Sequence, residues 1–279
     1  KIFERVMANQ LITFLENNNL LDNEQFGFRT GKSVLNACIE FIDSVVSSID
    51  EGKKSVGIFM DLSKAFDSVS HSKLLVVLQK LGIKNRALSW FKSYLANRKQ
   101  FVEITYLNKF NQLINQNSKL RDVKFGVPQG SVLGPVLFLC YLKGLPGIAN
   151  FNKITLYADD INLMISGKTC GDIEALAFDQ LSAVEHFLNN KCLLLNPTKT
   201  KFITFSTIHR KPCDQLNIFL NEHLLEEVDE TKFLGLTIDH NLNWNTHVLH
   251  ITKKIASGIF VLRKMSGFCS LQTMKNIYY

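Results

Sequence analysis

The sequence lacks paired cysteines. No C-x-x-C pair occurs, and the gaps between its cysteines are wide. The cysteines are Cys38, Cys140, Cys170, Cys192, Cys213 and Cys269. We therefore expect reduced thiols in an intracellular protein, without a disulfide framework. His247 and His250 lie close together, but no second pair of ligands stands at zinc spacing, which argues against a structural zinc site.

The sequence also lacks an apolar run long enough to cross a membrane. The longest one, residues 132–142, contains Gly134 and Pro135. It falls well short of the ~20 residues that a spanning helix needs, and it predicts a buried helix instead. No secretory signal, internal repeat or long linker is visible, so we expect no membrane partner. The chain begins with Lys1 and ends at Tyr279 within an amphipathic stretch, and we expect it to be part of a longer polypeptide.

Acidic residues are outnumbered by basic ones. The 279 residues include 32 Lys and Arg against 25 Asp and Glu, which gives a formal net charge of +7. A positive excess suits a polyanionic partner, of which nucleic acid is the commonest. Hydrophobic residues make up 46% of the chain and charged residues 20%, so we expect a globular protein with a substantial core.

One short acidic segment interrupts two apolar runs. Tyr157-Ala158-Asp159-Asp160 stands between residues 154–156 and 161–165. This pattern predicts a β-hairpin with carboxylates at its tip. Neighbouring carboxylates repel one another unless a cation lies between them, and oxygen ligands of this kind suit Mg²⁺ or Mn²⁺. The alternative is a solvated acidic turn.

A second acidic position follows a buried strand. Residues 54–60 predict that strand, and Asp61 stands at its end, where open sheets present catalytic groups. Asp67 follows shortly afterwards; we expect it to brace the local turn rather than to bind metal.

A glycine-bracketed basic loop lies near the start of the chain. Gly27 and Gly31 flank Arg29, and Lys32 follows at once. Such a loop can bring backbone N–H groups and two cations to a phosphate. The alternative is an ordinary turn before the next helix.

Periodicity predicts the remaining elements. Helices are expected within residues 1–25, 33–50, 74–81, 85–97, 132–142, 172–190 and 243–265. Strands are expected at 101–106, 119–125, 201–205, 216–220 and 232–238, with a polar Asn/Gln-rich link after the first of them. The inward face of helix 33–50 is predicted to hold Val34, Leu35, Cys38, Ile39, Ile42 and Val46.

The order of motifs resembles that of a reverse transcriptase, most closely the jockey-like class of non-long-terminal-repeat retrotransposons. The motifs that carry the resemblance are Gln25-Phe26-Gly27-Phe28-Arg29, the segment 59–69 around Asp61, the segment 126–135 with Pro128-Gln129-Gly130-Ser131, Tyr157-Ala158-Asp159-Asp160, Asn196-Pro197-Thr198-Lys199-Thr200 and Phe233-Leu234-Gly235. Together they are far more specific than any one of them alone.

The resemblance implies an α+β right-hand polymerase fold, with fingers, a palm built on an antiparallel sheet, and a partial thumb. Fingers and palm would occupy residues 1–230, and residues 231–279 would form a primer-grip hairpin and the start of the thumb. It also implies RNA-directed DNA polymerase activity. The partners would be an RNA template, a DNA primer, dNTPs and the rest of a longer retrotransposon polyprotein, whose endonuclease domain is absent from this chain.

The resemblance also implies roles for individual residues. Asp61, Asp159 and Asp160 would hold two Mg²⁺ ions, with Mn²⁺ as a possible substitute, and Lys199 would give a proton to pyrophosphate. The dNTP would be held by Arg29, Lys32, Phe66 and Gln129, with the Phe66 ring lying beneath the sugar and excluding a 2′-OH. Basic residues in helix 243–265 would track the primer–template backbone; they are Lys253, Lys254, Arg263 and Lys264.

Three other functions stay open at this point. The chain could be an inactive or domesticated element that only binds nucleic acid, an RNA-dependent RNA polymerase with a similar palm, or a metal-dependent nuclease. We expect an intracellular location, in the nucleus during target-primed synthesis and in the cytoplasm otherwise.

Overall fold

A computed structural model describes residues 1–151, 153–206 and 216–278. Cys213 and Tyr279 lie outside the described residues. The helices are α1 Ile2–Asn17, α2 Val34–Asp50, α3 His71–Lys80, α4 Asn85–Leu95, α5 Gly134–Leu142, α6 Cys170–Asn190, α7 Asn245–Met265 and α8 Leu271–Tyr278. The strands are β1 Lys54–Met60, β2 Lys99–Gln100, β3 Glu103–Leu107, β4 Leu113–Asn117, β5 Arg121–Asp122, β6 Lys153–Tyr157, β7 Asp160–Gly167, β8 Lys201–Phe205, β9 Phe219–Leu220, β10 His223–Leu224, β11 Glu226–Glu227, β12 Glu230–Phe233 and β13 Leu236–Asp239.

A five-stranded sheet with the order β11-β8-β1-β7-β6 forms the centre of the molecule. Its strands pair antiparallel, except that β11 runs parallel to β8. β1 is buried on both faces, since Val56 and Ile58 belong to the core that contains α5 and α6, whereas Phe59 packs with α2. This explains why β1 reads as a continuous apolar run, and it confirms the predicted antiparallel sheet backed by helices.

The side of the sheet covered by α2 is organised by aromatic rings. Phe41 of α2 is fully buried, with ring centroids 5.5 Å from Phe59 and 4.8 Å from Phe233. Gly57 in β1 allows this close approach, because a Cβ there would lie 3.0 Å from the Phe41 ring. Aromatic pairs at such separations stabilise a core beyond the area that they bury.

The predicted inward face of α2 is wrong for most of its members. Cys38 is buried as predicted, but Leu35, Ile39, Val34 and Val46 are exposed. The buried face consists of Ala37, Cys38, Phe41, Val45 and Ser48. Apolar residues cover a broad arc of this helix, wider than the part that the sheet buries, and the large Phe41 ring determines which part of the arc packs on the sheet.

The segment between α4 and α5 also differs from the prediction. An exposed arm is formed by β3 and β4, which pair antiparallel, so one strand lies within the predicted polar link. Of the predicted strand 119–125, only β5 is extended, and it pairs with β2. The Asn108 side chain closes the turn of the arm by accepting hydrogen bonds from the backbone N–H groups of Phe110 and Gln112. Because Asn is depleted in strands, composition alone favoured a loop here.

Residues 232–238 form a hairpin rather than the single predicted strand. β12 and β13 pair through a two-residue turn at Leu234-Gly235, where φ is 48° and 94°. Positive φ at both central residues is the requirement of a type I′ turn, and Gly meets it without steric cost. The predicted strand 216–220 is likewise extended only at Phe219–Leu220.

The last long helix, α7, lies largely in solvent. It has no buried residue, and it is joined to β13 by a hydrogen bond of 3.2 Å from the Thr237 backbone N–H to His247 Nδ1. Across the ranges described, no helix is both long enough and apolar enough to pass through a membrane.

Candidate active site

The pairing of β1 with β7 brings two of the predicted metal ligands together. The antiparallel register pairs Met60 with Ile161. The next residue outward on each strand is therefore Asp61 on one side and Asp160 on the other. Directly opposite residues in an antiparallel pair have Cβ atoms roughly 4.5–5.5 Å apart. Two residues almost a hundred positions apart in sequence thus meet at one end of the sheet.

Asp159 lies in the turn of the β6–β7 hairpin. Tyr157 pairs with Asp160, so Ala158 and Asp159 form a two-residue loop. The predicted hairpin with carboxylates at its tip is confirmed. Ala158 has a φ of 57°, in the left-handed region that a tight hairpin turn demands at its first position. Asp159 thereby projects beside Asp160 at the end of β1.

The electrostatics of these carboxylates favour a bound cation. Burial and the charge of Asp61 raise the pKa of Asp159. Burial, followed by the charges of Asp159 and Asp61, raises the pKa of Asp160 to about 6. Burial first, and then the negative neighbours, disfavour the ionised form of Asp159 and Asp160, and a divalent cation would stabilise that form. Among the described residues, no group of three or more His, Cys, Asp or Glu side chains lies close enough together to hold a metal ion on its own. The carboxylate oxygens of Asp61, Asp159 and Asp160 are the kind of donor that Mg²⁺ prefers, and Mg²⁺ usually keeps water and substrate oxygens in its other positions.

Lys199 lies beside this cluster. Its Nζ is 3.6 Å from Asp61 Oδ2, and the two side chains are 67% and 41% exposed. The loop that carries Lys199 is fixed to the end of β1, because the Asn196 backbone N–H donates to the Asp61 carbonyl at 2.9 Å. A cavity of about 680 Å³ opens here, lined in part by Asp61, Lys199 and His250. An exposed ion pair of this kind contributes little stability, which leaves the Lys199 cation available to a ligand.

Phe66 lies in a short 3₁₀ turn, Ala65–Ser68, just after β1. Its ring stacks on the buried Phe138 of α5, with centroids 4.6 Å apart. The Phe66 side chain is half-buried, so one part of it belongs to the core and another part faces outward.

Gln129 and Asp67 are joined to each other. Gln129 Nε2 lies 3.1 Å from both carboxylate oxygens of Asp67. Gly126, with a φ of 87°, brings the two segments together, because a Cβ there would lie 3.0 Å from the Asp67 carbonyl oxygen. This contact agrees with the expectation that Asp67 braces the local structure.

Gln129 and Asp67 also line a cavity of about 750 Å³ at the base of the β3–β4 arm. Its lining includes several cations that are not among the predicted site residues, namely Lys64, Arg98, Lys99 and Lys124. They lie on three separate segments, so no local motif marked them.

Arg29 and Lys32 are each engaged by protein partners. The Arg29 guanidinium bonds both carboxylate oxygens of Glu16 and the Asp22 carbonyl, and its side chain is only 10% exposed. Lys32 Nζ donates to the Asn23 carbonyl and lies 4.3 Å from the centroid of the Phe26 ring. Both cations have protein partners, and their role in dNTP binding stays a prediction that these contacts do not support.

The backbone of the same loop is also engaged. The Gly27 N–H donates to the Gln25 side chain at 2.9 Å, and the Phe26 N–H donates to the Leu156 carbonyl at 2.8 Å. These two N–H groups therefore do not form the phosphate cradle that the glycines suggested. Gln25 belongs to the motif at residues 25–29, and the sequence alone assigns it no role. In the structure its side chain is buried and hydrogen-bonded to backbone groups of two segments.

Solved structures with a similar fold place the chain among the right-hand polymerases. Apo telomerase from Candida tropicalis matches 87% of this chain and 40% of its own, with a TM-score of 0.54 and 12% sequence identity. Telomerase from Candida albicans, in complex with a fragment of telomeric RNA, matches 86% and 37%, with a TM-score of 0.51 and 13% identity. This likeness concerns the fold, and it confirms the predicted right-hand polymerase class.

The family follows from the sequence comparisons. Residues 1–238 match the family described as reverse transcriptase (RNA-dependent DNA polymerase), and the chain belongs to that family. Its relatives in Drosophila melanogaster include the probable RNA-directed DNA polymerase from transposon BS, 29% identical over 99% of this chain, and that from the mobile element jockey, 26% identical over 99%. The resemblance to jockey-like retrotransposon enzymes is thereby confirmed. The chain spans about 30% of the length of these two relatives.

Proposed function

We propose that this chain is the polymerase part of a retrotransposon protein and copies RNA into DNA. The reaction is transfer of a nucleotide from a dNTP to the 3′-OH of a DNA primer paired with an RNA template. The observation that carries the proposal is the meeting of Asp61 with Asp159 and Asp160 at the end of β1. Family membership supplies the reaction class.

The three carboxylates would hold the metal ions of the reaction. Two bound Mg²⁺ ions would lower the pKa of the primer 3′-OH and stabilise the leaving pyrophosphate. Asp61 and Asp159 would be the main ligands of these ions, because they come from separate elements that meet at one end of β1. Asp160 would add negative charge and orientation.

Other residues would act on the triphosphate and the sugar. Lys199, whose Nζ lies 3.6 Å from Asp61 Oδ2, would give a proton to the pyrophosphate, which is general-acid catalysis. Phe66 would lie beneath the sugar and exclude a 2′-OH. Gln129 would pack against the incoming nucleotide after exchanging its contact with Asp67.

The proposed partners follow from the reaction and from the greater length of the relatives, of which this chain spans about 30%. They are an RNA template, a DNA primer, dNTPs and the remainder of a longer polyprotein. We place the synthesis step in the nucleus, at the primed target, and the protein otherwise in the cytoplasm.

Primer extension tests this function. The purified chain is incubated with a DNA primer annealed to RNA, with all four dNTPs and Mg²⁺, and in parallel with EDTA, with rNTPs or without nucleotides. Extension that requires dNTPs and Mg²⁺ would support the proposal. Extension by rNTPs alone would indicate an RNA polymerase, and cleavage without nucleotides a nuclease. Filter binding of the same duplex without extension would indicate a protein that only binds nucleic acid.

A further inference from the structure

We propose that Gln25 and Gly27 are positioning residues that hold the turn bearing Asp159 in its working geometry. This inference rests on the function proposed above. Gln25 is 4% exposed, and its Oε1 accepts hydrogen bonds from the backbone N–H groups of Ala158 at 3.0 Å and Gly27 at 2.9 Å. Its Nε2 also donates to the Ala158 carbonyl at 3.4 Å. A single buried side chain thus contacts both backbone polar groups of the residue that precedes Asp159.

Ala158 is a residue that needs such support. Its φ of 57° lies in the left-handed region, which disfavours a residue with a Cβ. Strained residues persist only where the surrounding structure fixes them, and they cluster at functional sites. Ala158 is itself buried, and Gln25 supplies a partner to its N–H and its carbonyl. Without that partner, the turn would be free to relax, and Asp159 would move with it.

The backbone around Gln25 reinforces the contact. The Phe26 N–H donates to the Leu156 carbonyl at 2.8 Å, and the Leu156 N–H donates to the Glu24 carbonyl at 2.9 Å. Residues 24–26 therefore run along the free edge of β6 as a short parallel bridge. This pairing fixes the depth at which the Gln25 side chain enters the turn.

Gly27 is required by the closeness of the two segments. A Cβ at this position would lie 2.5 Å from the Ala158 nitrogen and 3.1 Å from the Tyr157 carbonyl carbon. Both neighbours are backbone atoms, so the clash cannot be relieved by a side-chain rotation. Any larger residue at position 27 would displace the turn even with Gln25 intact. The Gln25-Phe26-Gly27 segment therefore combines a hydrogen-bonding side chain with a position that only glycine fits.

Two substitutions separate positioning from simple stabilisation. Gln25→Met removes the hydrogen bonds while keeping the side-chain length, and Gly27→Ala displaces the turn while keeping Gln25. Matched controls are Gln180→Met, which removes another buried glutamine on α6, and Gly147→Ala, where an added Cβ meets nothing within 4 Å. All variants are measured well below their melting temperatures.

The first readout is amide hydrogen exchange, which does not depend on catalysis. We expect the Ala158 amide to be protected in the unsubstituted protein and to exchange at least about tenfold faster in Gln25→Met, while amides in the centre of β7 are unchanged. An Ala158 amide that is unprotected in the unsubstituted protein would overturn the proposal, even if neither variant folds.

The second readout is Mn²⁺ binding, followed by the electron paramagnetic resonance signal of free Mn²⁺. Outer residues that orient ligands typically change metal affinity by ~10–100-fold, and we expect a weakening of at least about tenfold in Gln25→Met and Gly27→Ala. Neither control should differ from the unsubstituted protein. Unchanged affinity in both variants would contradict a positioning role.

The third readout is primer extension. We expect kcat to fall by ~10–100-fold in both variants, because a displacement of a reacting group by about 1 Å has that effect. KM for the dNTP should stay within about twofold, since no contact to the nucleotide is removed. A rise in KM with constant kcat would assign Gln25 to substrate binding and overturn the proposal. If the unsubstituted protein does not extend primers at all, the proposed function fails, while exchange and Mn²⁺ binding still test the positioning of the turn.

Discussion

Phe66 is the residue on which sugar selection is expected to depend. It is half-buried against Phe138, beside the end of β1. Exclusion of a 2′-OH requires a bulky ring, so Phe66→Val should raise the incorporation of ribonucleotides relative to deoxyribonucleotides by at least about tenfold, which corresponds to roughly 1.4 kcal/mol of relative barrier height. The measurement is kcat/KM with each nucleotide type.

A matched substitution distinguishes this role from packing. Phe41→Val truncates a fully buried ring on the other side of the sheet. Both variants should unfold at lower temperature, since loss of a buried Phe side chain destabilises a protein by roughly 1–4 kcal/mol. Only Phe66→Val should change the nucleotide ratio. An equal loss of both activities in Phe66→Val would make Phe66 a core residue and remove it from the site.

Lys191 is expected to make stability depend on alkaline pH. It lies beyond the end of α6, where Nζ donates to the Tyr141 and Lys143 carbonyls and lies 4.7 Å from the Phe187 ring centroid. Burial, partly offset by Asp22, lowers the pKa of Lys191 from 10.5 to about 8. The folded protein therefore loses this proton at lower pH than the unfolded chain does. The free energy of unfolding should gain a contribution from Lys191 as the pH rises from 8 towards 10.5, on the order of 2–3 kcal/mol.

The comparison with Lys191→Met isolates that contribution. Tyr94, Tyr141 and Cys140 have raised pKa values, and they oppose the trend in both proteins. Urea unfolding at pH 7.5, 9 and 10 gives the difference in unfolding free energy between the two proteins. The free energy of unfolding of the unsubstituted protein, minus that of Lys191→Met, should increase as the pH rises. A constant difference would mean that Lys191 keeps an ordinary pKa.

At the scale of elements, α7 is expected to bind the phosphate backbone. It has no buried residue, and it carries Lys253 and Lys254 in solvent. Changing both to Ala should weaken binding to all duplex sequences alike, because phosphate contacts carry no sequence information. The slope of log K against log salt concentration should become shallower by roughly one for each phosphate that the variant no longer neutralises.

A control variant removes the same charge from another place. Lys84→Ala with Lys92→Ala alters exposed lysines at the start and the end of α4. This control should reproduce only the small effect of net charge and leave the salt slope unchanged. Equal slopes for the α7 variant and the control would show that Lys253 and Lys254 are solvent-exposed residues that do not contact phosphates.

Elements whose apolar pattern defines both their ends and their buried face were predictable from the sequence, and the others were not. β1 and the acidic hairpin follow from runs of apolar residues with clear ends, and α6 follows from apolar residues at intervals of three or four. The buried face of α2 could not be predicted in the same way. Its apolar arc is broader than the buried part, and the Phe41 ring determines the packing through partners far away in sequence. β4 was not predicted, because its Asn and Gln residues are typical of loops. Pairing with β3 and the turn closed by Asn108 make this segment a strand.

The candidate site was predictable in part. Asp159 and Asp160 are adjacent, so local pattern sufficed for them. The proximity of Asp61 depends on the register between β1 and β7, which no local pattern contains, and the resemblance to reverse transcriptases supplied it. The partners of Arg29 and the burial of Gln25 depend on contacts between segments distant in sequence, and motif reading did not anticipate them.

At the scale of the whole molecule, the net positive charge, the right-hand fold and the carboxylate cluster all suit the proposed reaction. The net charge of +7 favours a polyanionic substrate, and the sheet places three Asp side chains at one end of β1. The chain spans about 30% of the length of its BS and jockey relatives, so its activity when isolated is a property that must be measured directly.

Primer extension on an RNA template by the unsubstituted chain and by Asp159→Asn is the most direct measurement. We expect the unsubstituted chain to extend the primer with dNTPs and Mg²⁺, and Asp159→Asn to lower kcat by at least about 10²-fold, since it removes charge that stabilises the transition state. The melting temperature of metal-free Asp159→Asn should be unchanged or higher, because one of the mutually repelling carboxylates is gone. Asp179→Asn, which alters an exposed residue on α6, should retain the full rate. Extension by folded Asp159→Asn at close to the unsubstituted rate would contradict catalysis by this carboxylate cluster.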